Sequence, residues 1–407
     1  MKKILFVINT MGRAGAERAL IALINTLPKE EYDISLMTMI NRGELYDDIP
    51  PHVHILKTHP DSRSVLSFGG KCCIARHILC SFFYRFTGFT QLGYLFKNLF
   101  AQIKKKSIQP DKLLWRILAK GTKKDPVEYD LAVAYLEGAS TYYVADSVTA
   151  KKKAAFIHID YKKAGYTREL DLDAYEKIDR IFSVSREAGE SFLSLYPEKK
   201  DKLFLFRNII DTEWIKEKTK ENLPAKDPFF LSQADFKLLT VGRLHYQKAY
   251  DIAIPALKII RERGYNVDWF ILGEGSEQKA LEQQIRKEGL QEHFHLLGSK
   301  ENPYPYYKQA TLYVHATRFE GKSIAIEEAQ VLGKAIIASD CTGNREQITS
   351  KVSGLLIPLT KEAIADAVIQ LLTNPDERKR YEMASQSIVL QHKEDLNSLM
   401  ELLKNQQ

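Results

Sequence analysis

Two glutamates and two cations form the most specific chemical pattern in this chain. Glu320 and Glu328 are separated by seven residues in Phe319-Glu320-Gly321-Lys322-Ser323-Ile324-Ala325-Ile326-Glu327-Glu328. The stretch reads as a loop, a helix over 324–332 with Ser323 as N-cap and Gly333 as stop, and a buried strand over 335–338. At helical spacing Glu328 shares a face with Ile324, Val331 and Leu332, while Glu327 falls with Ser323, Gln330 and Lys334, which predicts one glutamate inward and one in water. An inward carboxylate needs hydrogen-bond donors, and ligand hydroxyls would serve. The backbone N–H groups at Ser323 and Ile324 suit a phosphate. Upstream, a strand over 238–242 ends in Gly242-Arg243-Leu244-His245-Tyr246-Gln247-Lys248, whose Arg243 and Lys248 are placed to neutralise a diphosphate and the charge it carries as it leaves. A diphosphate beside a polyhydroxy group is a sugar nucleotide. The plainer alternatives are an acidic helix and an ordinary surface Arg and Lys.

Further candidates lie where strands end. Ala155-Phe156-Ile157-His158-Ile159-Asp160 puts His158 at the carboxyl end of a strand, where open α/β sheets place ligand contacts, although a histidine there is also commonly structural. A run over 3–8, then Asn9-Thr10-Met11-Gly12-Arg13-Ala14-Gly15, then an apolar-periodic helix over 16–27, is strand, glycine loop and helix. Gly15 opens that helix, and a tight turn explains it equally well. A strand over 267–272 ends in Gly273-Glu274-Gly275. Asp171-Leu172-Asp173 leads into helix and reads as solvated carboxylate rather than a metal ligand pair. No His, Cys and carboxylate cluster has metal-ligand spacing, so no metal is expected.

These residues must be positioned by a frame, and 407 residues suffice for two domains with sizeable cores. Strand and helix alternate twice, with a charged, proline-containing linker over 216–227 between the series. The four cysteines have no framework spacing, no signal peptide opens the chain, and no uncharged apolar run approaches the ~20 residues of a membrane span. A reducing cytoplasm is the expected location. Of the net charge of +7, residues 61–124 alone contribute +11, thirteen Lys or Arg against two Asp. Within that region, residues 64–124 carry Phe82-Phe83-Tyr84-Arg85-Phe86, Tyr94-Leu95-Phe96 and Lys104-Lys105-Lys106. Aromatic and aliphatic helix faces with a basic rim fit an anionic membrane surface, and they equally fit extra helices packed on the sheet with a solvated face. No nucleic-acid motif accompanies the charge.

The paired glutamates resemble the nucleotide-binding signature of retaining glycosyltransferases of GT-B architecture, in particular family four. Gly242-Arg243-Leu244 with Lys248 closely resembles a second motif of that family, Gly15-Ala16-Glu17-Arg18 its opening motif, the His158 stretch a cleft motif, Phe206-Arg207-Asn208-Ile209-Ile210-Asp211 its hinge, and Gly273-Glu274-Gly275 a loop on the sugar-donor side. Departures are Ala14 for a glycine, Ile209 in the hinge, and Gly321-Lys322-Ser323 where many members have Gly-Phe-Gly. The resemblance implies an α/β fold of two doubly wound, Rossmann-like domains facing across a cleft. These would be an acceptor-binding domain over 1–207 with the basic aromatic insertion at about 64–124, a sugar-donor domain over 208–385, and a helix over 386–407 returning to the first. It implies Glu320 beside the transferred sugar, Glu328 on the ribose, Arg243 and Lys248 on the diphosphate, Gly275, Ser323, Ile324 and Gly15 near the sugar donor, and His158 in the catalytic cleft.

The function so implied is retaining, metal-independent transfer of a sugar from a nucleotide diphosphate, UDP favoured, to a hydroxyl of a lipid-linked saccharide in bacterial cell-surface polysaccharide assembly. It needs no cofactor and would work in the cytoplasm or peripherally at the inner membrane face. No acceptor-binding residue follows from spacing. The competing readings are a catalytically silent sugar-nucleotide-binding subunit and a nicotinamide-dependent oxidoreductase, the latter lacking its glycine fingerprint.

Overall fold

Ile4 to Ile8 are apolar without interruption and fully buried, the pattern of a parallel strand covered on both faces. The computed structural model describes residues 1–56, 61–63, 68–83, 89–104, 110–388 and 393–404. They form two units, 1–209 with 392–407, and 210–391.

The first unit holds β1 (Lys2–Ile8), β2 (Tyr32–Thr38), β3 (His54–Ile55), β4 (Glu128–Ala134), β5 (Thr149–Ile157), β6 (Arg180–Ser183) and β7 (Leu203–Leu205). They lie parallel in the order β3-β2-β1-β4-β5-β6-β7. The second unit holds β8 (Phe236–Val241), β9 (Val267–Leu272), β10 (Phe294–Leu296), β11 (Leu312–His315), β12 (Ile336–Ser339) and β13 (Leu355–Ile357), parallel in the order β10-β9-β8-β11-β12-β13. Each sheet reverses its winding once, between β1 and β4 and between β8 and β11. Ligands of doubly wound sheets bind beyond the carboxyl ends of strands at such a reversal. The loops after β8 and β11 are therefore neighbours although about seventy residues separate them.

β7 is a partly exposed edge strand too short to show a period. Ala249, at φ 49°, precedes the helix Tyr250–Glu262, so Asp251 lies in its first turn and Pro255 lies inside it. The carbonyl that Pro255 cannot bond, that of Asp251, accepts instead from Gln284 Nε2 at 2.8 Å. Asp171 is not solvated. It is fully buried and accepts from the hydroxyls of Tyr142, Tyr161 and Tyr196 at 2.8–2.9 Å, while burial pushes its pKa up to about 6.

The basic insertion contributes the helices Phe68–Phe83, Leu92–Lys104 and Pro110–Gly121. The third is anchored by Arg116, buried over the Tyr142 ring at 4.4 Å and bonded to Asp146 at 3.1 Å and to the Asp171 carbonyl. Among the described residues, the helix Leu92–Lys104 is anchored through Tyr94 and Asn98 on one face. Tyr94 donates to the Leu170 carbonyl at 3.1 Å and Asn98 to that of Glu169 at 3.4 Å. Its other face leaves Leu92, Phe96, Leu99, Phe100 and Ile103 exposed, Phe96 and Phe100 by 70% and 72%. Residues 84–88 of the aromatic run and 105–106 of the lysine run lie outside the described residues. The last helix, Lys393–Lys404, belongs to the first unit, where Leu399 and Leu403 are buried in the core with Leu20 and Leu36.

Candidate active site

In the second unit the loop after β11 turns Glu320 back toward the loop after β8. Lys248 pairs with Glu320 Oε2, their side chains only 12% and 14% exposed. Gln247 Nε2 donates to Glu320 Oε1 at 3.2 Å, and His315 Nε2 lies 3.3 Å from Oε2. Burial opposes ionisation of Glu320, but Lys248 and His315 outweigh it and hold the pKa at about 2. Arg243 is exposed on the same loop, and no carboxylate among the described residues lies within ion-pair reach of it. One lysine is thus engaged and one arginine is open to solvent.

Backbone contacts hold these loops. Leu244 N–H donates to the Glu274 carbonyl at 3.0 Å, and a Cβ on Gly275 would stand 2.2 Å from the Leu244 carbonyl oxygen. Gly275 is therefore a packing glycine beneath the cation loop. Thr317 Oγ1 donates to the Gln247 carbonyl at 2.9 Å, and Arg318 forks onto Asp251 at 2.9 and 2.6 Å. Gly343 sits below the Glu320 loop, where a Cβ would meet the carbonyl oxygens of Gly321 and Glu320 at 1.8 and 2.3 Å.

The helix after this loop is Ile324–Val331, with Ser323 at its N-cap but making no side-chain cap. Gln347 supplies that order, accepting from Ser323 N–H at 2.8 Å and donating to the Ser323 carbonyl at 2.9 Å. The N–H groups of Ile324 and Ala325 have no partner among the described residues, the ordinary state of a first helical turn. Both glutamates of the helix are buried, which corrects the expected division. Glu328 accepts from Tyr304 at 3.0 Å and Tyr307 at 3.1 Å, while Glu327 pairs with Lys322 Nζ at 2.5 Å. Lys322 stands in the loop where the resemblance has an aromatic residue, and its ammonium brings the second carboxylate inside. His315, Tyr304 and Tyr307 belong to no motif singled out in the sequence. The only signal for His315 is its place at the end of a buried strand.

The remaining candidates belong to the first unit. His158 follows β5; its N–H donates to Glu137 Oε2 at 3.1 Å and its ring packs on Tyr135, centroids 5.0 Å apart. Burial lowers its pKa to about 3, so the ring is neutral, with one nitrogen toward the Tyr135 carbonyl and Nε2 buried without a partner among the described residues. It can exchange a hydrogen bond with a ligand but does not titrate near neutral pH. Gly15 begins the helix Gly15–Thr26, whose first turn already carries the buried carboxylate of Glu17, bonded by Thr10 Oγ1 at 3.1 Å. That carboxylate weakens the appeal of this helix start to an anion.

Two doubly wound parallel sheets with this strand order, and a cation loop against a glutamate loop at the reversal of the second, define a glycosyltransferase fold of the GT-B class. Residues 224–387, most of the second unit, match the family Glycosyl transferases group 1. An uncharacterised glycosyltransferase of Methanocaldococcus jannaschii is 27% identical over 54% of this chain and 63% of its own length. The N-acetylgalactosamine-N,N'-diacetylbacillosaminyl-diphospho-undecaprenol 4-alpha-N-acetylgalactosaminyltransferase of Campylobacter jejuni is 29% identical over 51% of this chain and 54% of its own length. The chain thus spans less than two thirds of the length of either relative. Among solved structures, HepE of Anabaena in complex with UDP and glucose aligns over 99% of this chain and 100% of its own with a TM-score of 0.70 at 16% identity, a likeness of fold.

Proposed function

We propose that the chain is a retaining glycosyltransferase that moves a sugar from a nucleotide diphosphate, UDP favoured, to a hydroxyl of a lipid-linked saccharide. The observation that carries this reading is the meeting, at the strand-order reversal of the second sheet, of Lys248, exposed Arg243, the open N–H groups of Ile324 and Ala325, and the ionised Glu320. In this reading Arg243, Lys248 and the helix start bind the diphosphate and stabilise it as it leaves. Glu320, an acceptor only while ionised, receives hydrogen bonds from hydroxyls of the transferred sugar. Glu328, whose two oxygens accept from Tyr304 and Tyr307, is the acceptor for ribose hydroxyls. Gly275 holds the cation loop from below, and Ser323, fixed by Gln347, sets the direction of the helix start. His158, neutral, offers Nε2 to the substrate. The UDP in the HepE structure and the diphospho-undecaprenol in the name of the Campylobacter relative support the choice of nucleotide and acceptor class. Turnover is the test. The full chain, given UDP-sugars and diphospho-undecaprenol-linked saccharides, should extend the lipid-linked product. UDP binding with transfer only when a partner protein is added would instead make it a sugar-nucleotide-binding subunit.

The same proposal places the enzyme at the cytoplasmic face of a membrane. The exposed face Leu92, Phe96, Leu99, Phe100 and Ile103, in a region of net charge +11 over 61–124, would enter the headgroup boundary of anionic lipid. No helix among the described residues is long and apolar enough to cross a membrane. The chain should float with liposomes containing anionic lipid, and Phe96→Ser with Phe100→Ser should lower the floated fraction roughly tenfold or more through lost apolar burial. Equal flotation of that double variant and the unaltered chain would remove the helix from the contact.

A further inference from the structure

The two glutamates are joined through the interior of the second unit by side chains outside every motif. Tyr307, bonded to Glu328 at 3.1 Å, stacks on Tyr313 with centroids 5.2 Å apart. The Tyr313 hydroxyl lies 3.2 Å from Nδ1 of His315, whose Nε2 lies 3.3 Å from Glu320. Tyr307, Tyr313 and His315 are all buried.

The proton positions in this row follow from its ends. An ionised Glu320 only accepts, so Nε2 of His315 carries a hydrogen toward it. Burial and the nearby Lys248 hold His315 below its ordinary pKa, which leaves the ring neutral and Nδ1 a lone pair. The Tyr313 hydroxyl, which also lies 3.5 Å from the Val241 carbonyl, can donate into that lone pair and so supports the tautomer that Glu320 sets.

Lys248 has two claims on it, Glu320 and an incoming diphosphate. A lysine that moves to phosphate leaves a buried carboxylate without its cation. Nearby, Tyr250 donates to the Gly242 carbonyl at 2.9 Å and Arg318 is committed to Asp251. Among the described residues, His315 and Gln247 are the donors that remain. We infer that His315, held as its Nε2–H tautomer between Glu320 and Tyr313, is the positioning residue that keeps Glu320 ionised and aimed while Lys248 transfers to the diphosphate. The inference rests on the sugar-donor reading above.

The test is calorimetric titration of the full chain with UDP between pH 5 and 8, in buffers of different ionisation heat so that proton uptake is counted. Without the His315 N–H, Glu320 should take up a proton as Lys248 leaves. His315→Phe should therefore bind about one half to one more proton per UDP than the unaltered chain, and its affinity should fall roughly tenfold as pH rises from about 5 to 7. His315→Gln, which restores a donor that does not titrate, should return both readings toward the original. Nitrogen NMR of the ligand-free chain should show His315 as its Nε2–H tautomer. Identical proton uptake by His315→Phe and the unaltered chain, with UDP bound in both, overturns the inference. So does an Nδ1–H tautomer of His315 in the unaltered chain, which decides the matter should His315→Phe not fold. No UDP binding by the unaltered chain would instead overturn the sugar-donor reading, and the inference with it.

Discussion

Lys248→Ala should weaken UDP binding by roughly 10- to 100-fold, the value of about 1.5–3 kcal/mol for a hydrogen bond to a charged group. Transfer should fall at least about 100-fold, because the same cation meets the charge on the departing diphosphate. Stability should fall as well, since Glu320 is left buried with only neutral partners, His315 and Gln247. The pH dependence has a definite sign. In the native chain Glu320 titrates at about 2 instead of 4.5, so its contribution is present above about 4.5 and is lost as pH falls toward 2. Without Lys248 the folded pKa rises toward the unfolded value, while the His315 and Gln247 donors still hold the carboxylate ionised near neutral pH. The stability difference between variant and native chain should therefore be largest near neutral pH and shrink in acid. Chemical denaturation at several pH values measures it, and native affinity, transfer and stability in Lys248→Ala would remove this lysine from the site.

Gly343→Ala should act on the same loop from below. Its Cβ would meet two backbone oxygens, at 1.8 and 2.3 Å, and backbone cannot rotate aside. The Glu320 loop must then move by more than an ångström, or the helix Thr342–Arg345 must lift away. Overpacking of this kind costs about 1–3 kcal/mol, and a 1 Å displacement of a catalytic group can cost about 100-fold in rate. Gly93→Ala is the control, because a Cβ there meets nothing within 4 Å and the residue lies in a helix. Stability and turnover should be retained in Gly93→Ala and lost together in Gly343→Ala. An unaffected Gly343→Ala would mean that the Glu320 loop tolerates displacement.

Much of the second unit is legible in the sequence because parallel strands buried on both faces leave compact apolar runs, as at 267–272 and 335–338. The cation loop is legible because glycine, arginine and lysine follow such a run directly. The pairing of Lys248 with Glu320 is not, since it depends on β8 lying beside β11 rather than between consecutive neighbours. The burial of Glu327 depends on Lys322 from the preceding loop, and helical periodicity cannot see a loop side chain fold over a helix. The tyrosines that satisfy Glu328 come from 21 and 24 residues upstream, a helix away, where an inward carboxylate predicts that donors exist without saying which. Asp171 escaped for a related reason. It stands in a stretch with Arg168, Glu169 and Asp173 that reads as surface, and the three hydroxyls that bury it are brought together by tertiary structure.

The most direct test of the sugar-donor site is to titrate the full chain with UDP and with uridine under one set of conditions. If Arg243, Lys248 and the N–H groups of Ile324 and Ala325 hold the diphosphate, UDP should bind at one site at least about tenfold more tightly than uridine, and Lys248→Ala should narrow that gap. Equal affinity for UDP and uridine, or binding of neither, would contradict a diphosphate site at the reversal of the second sheet.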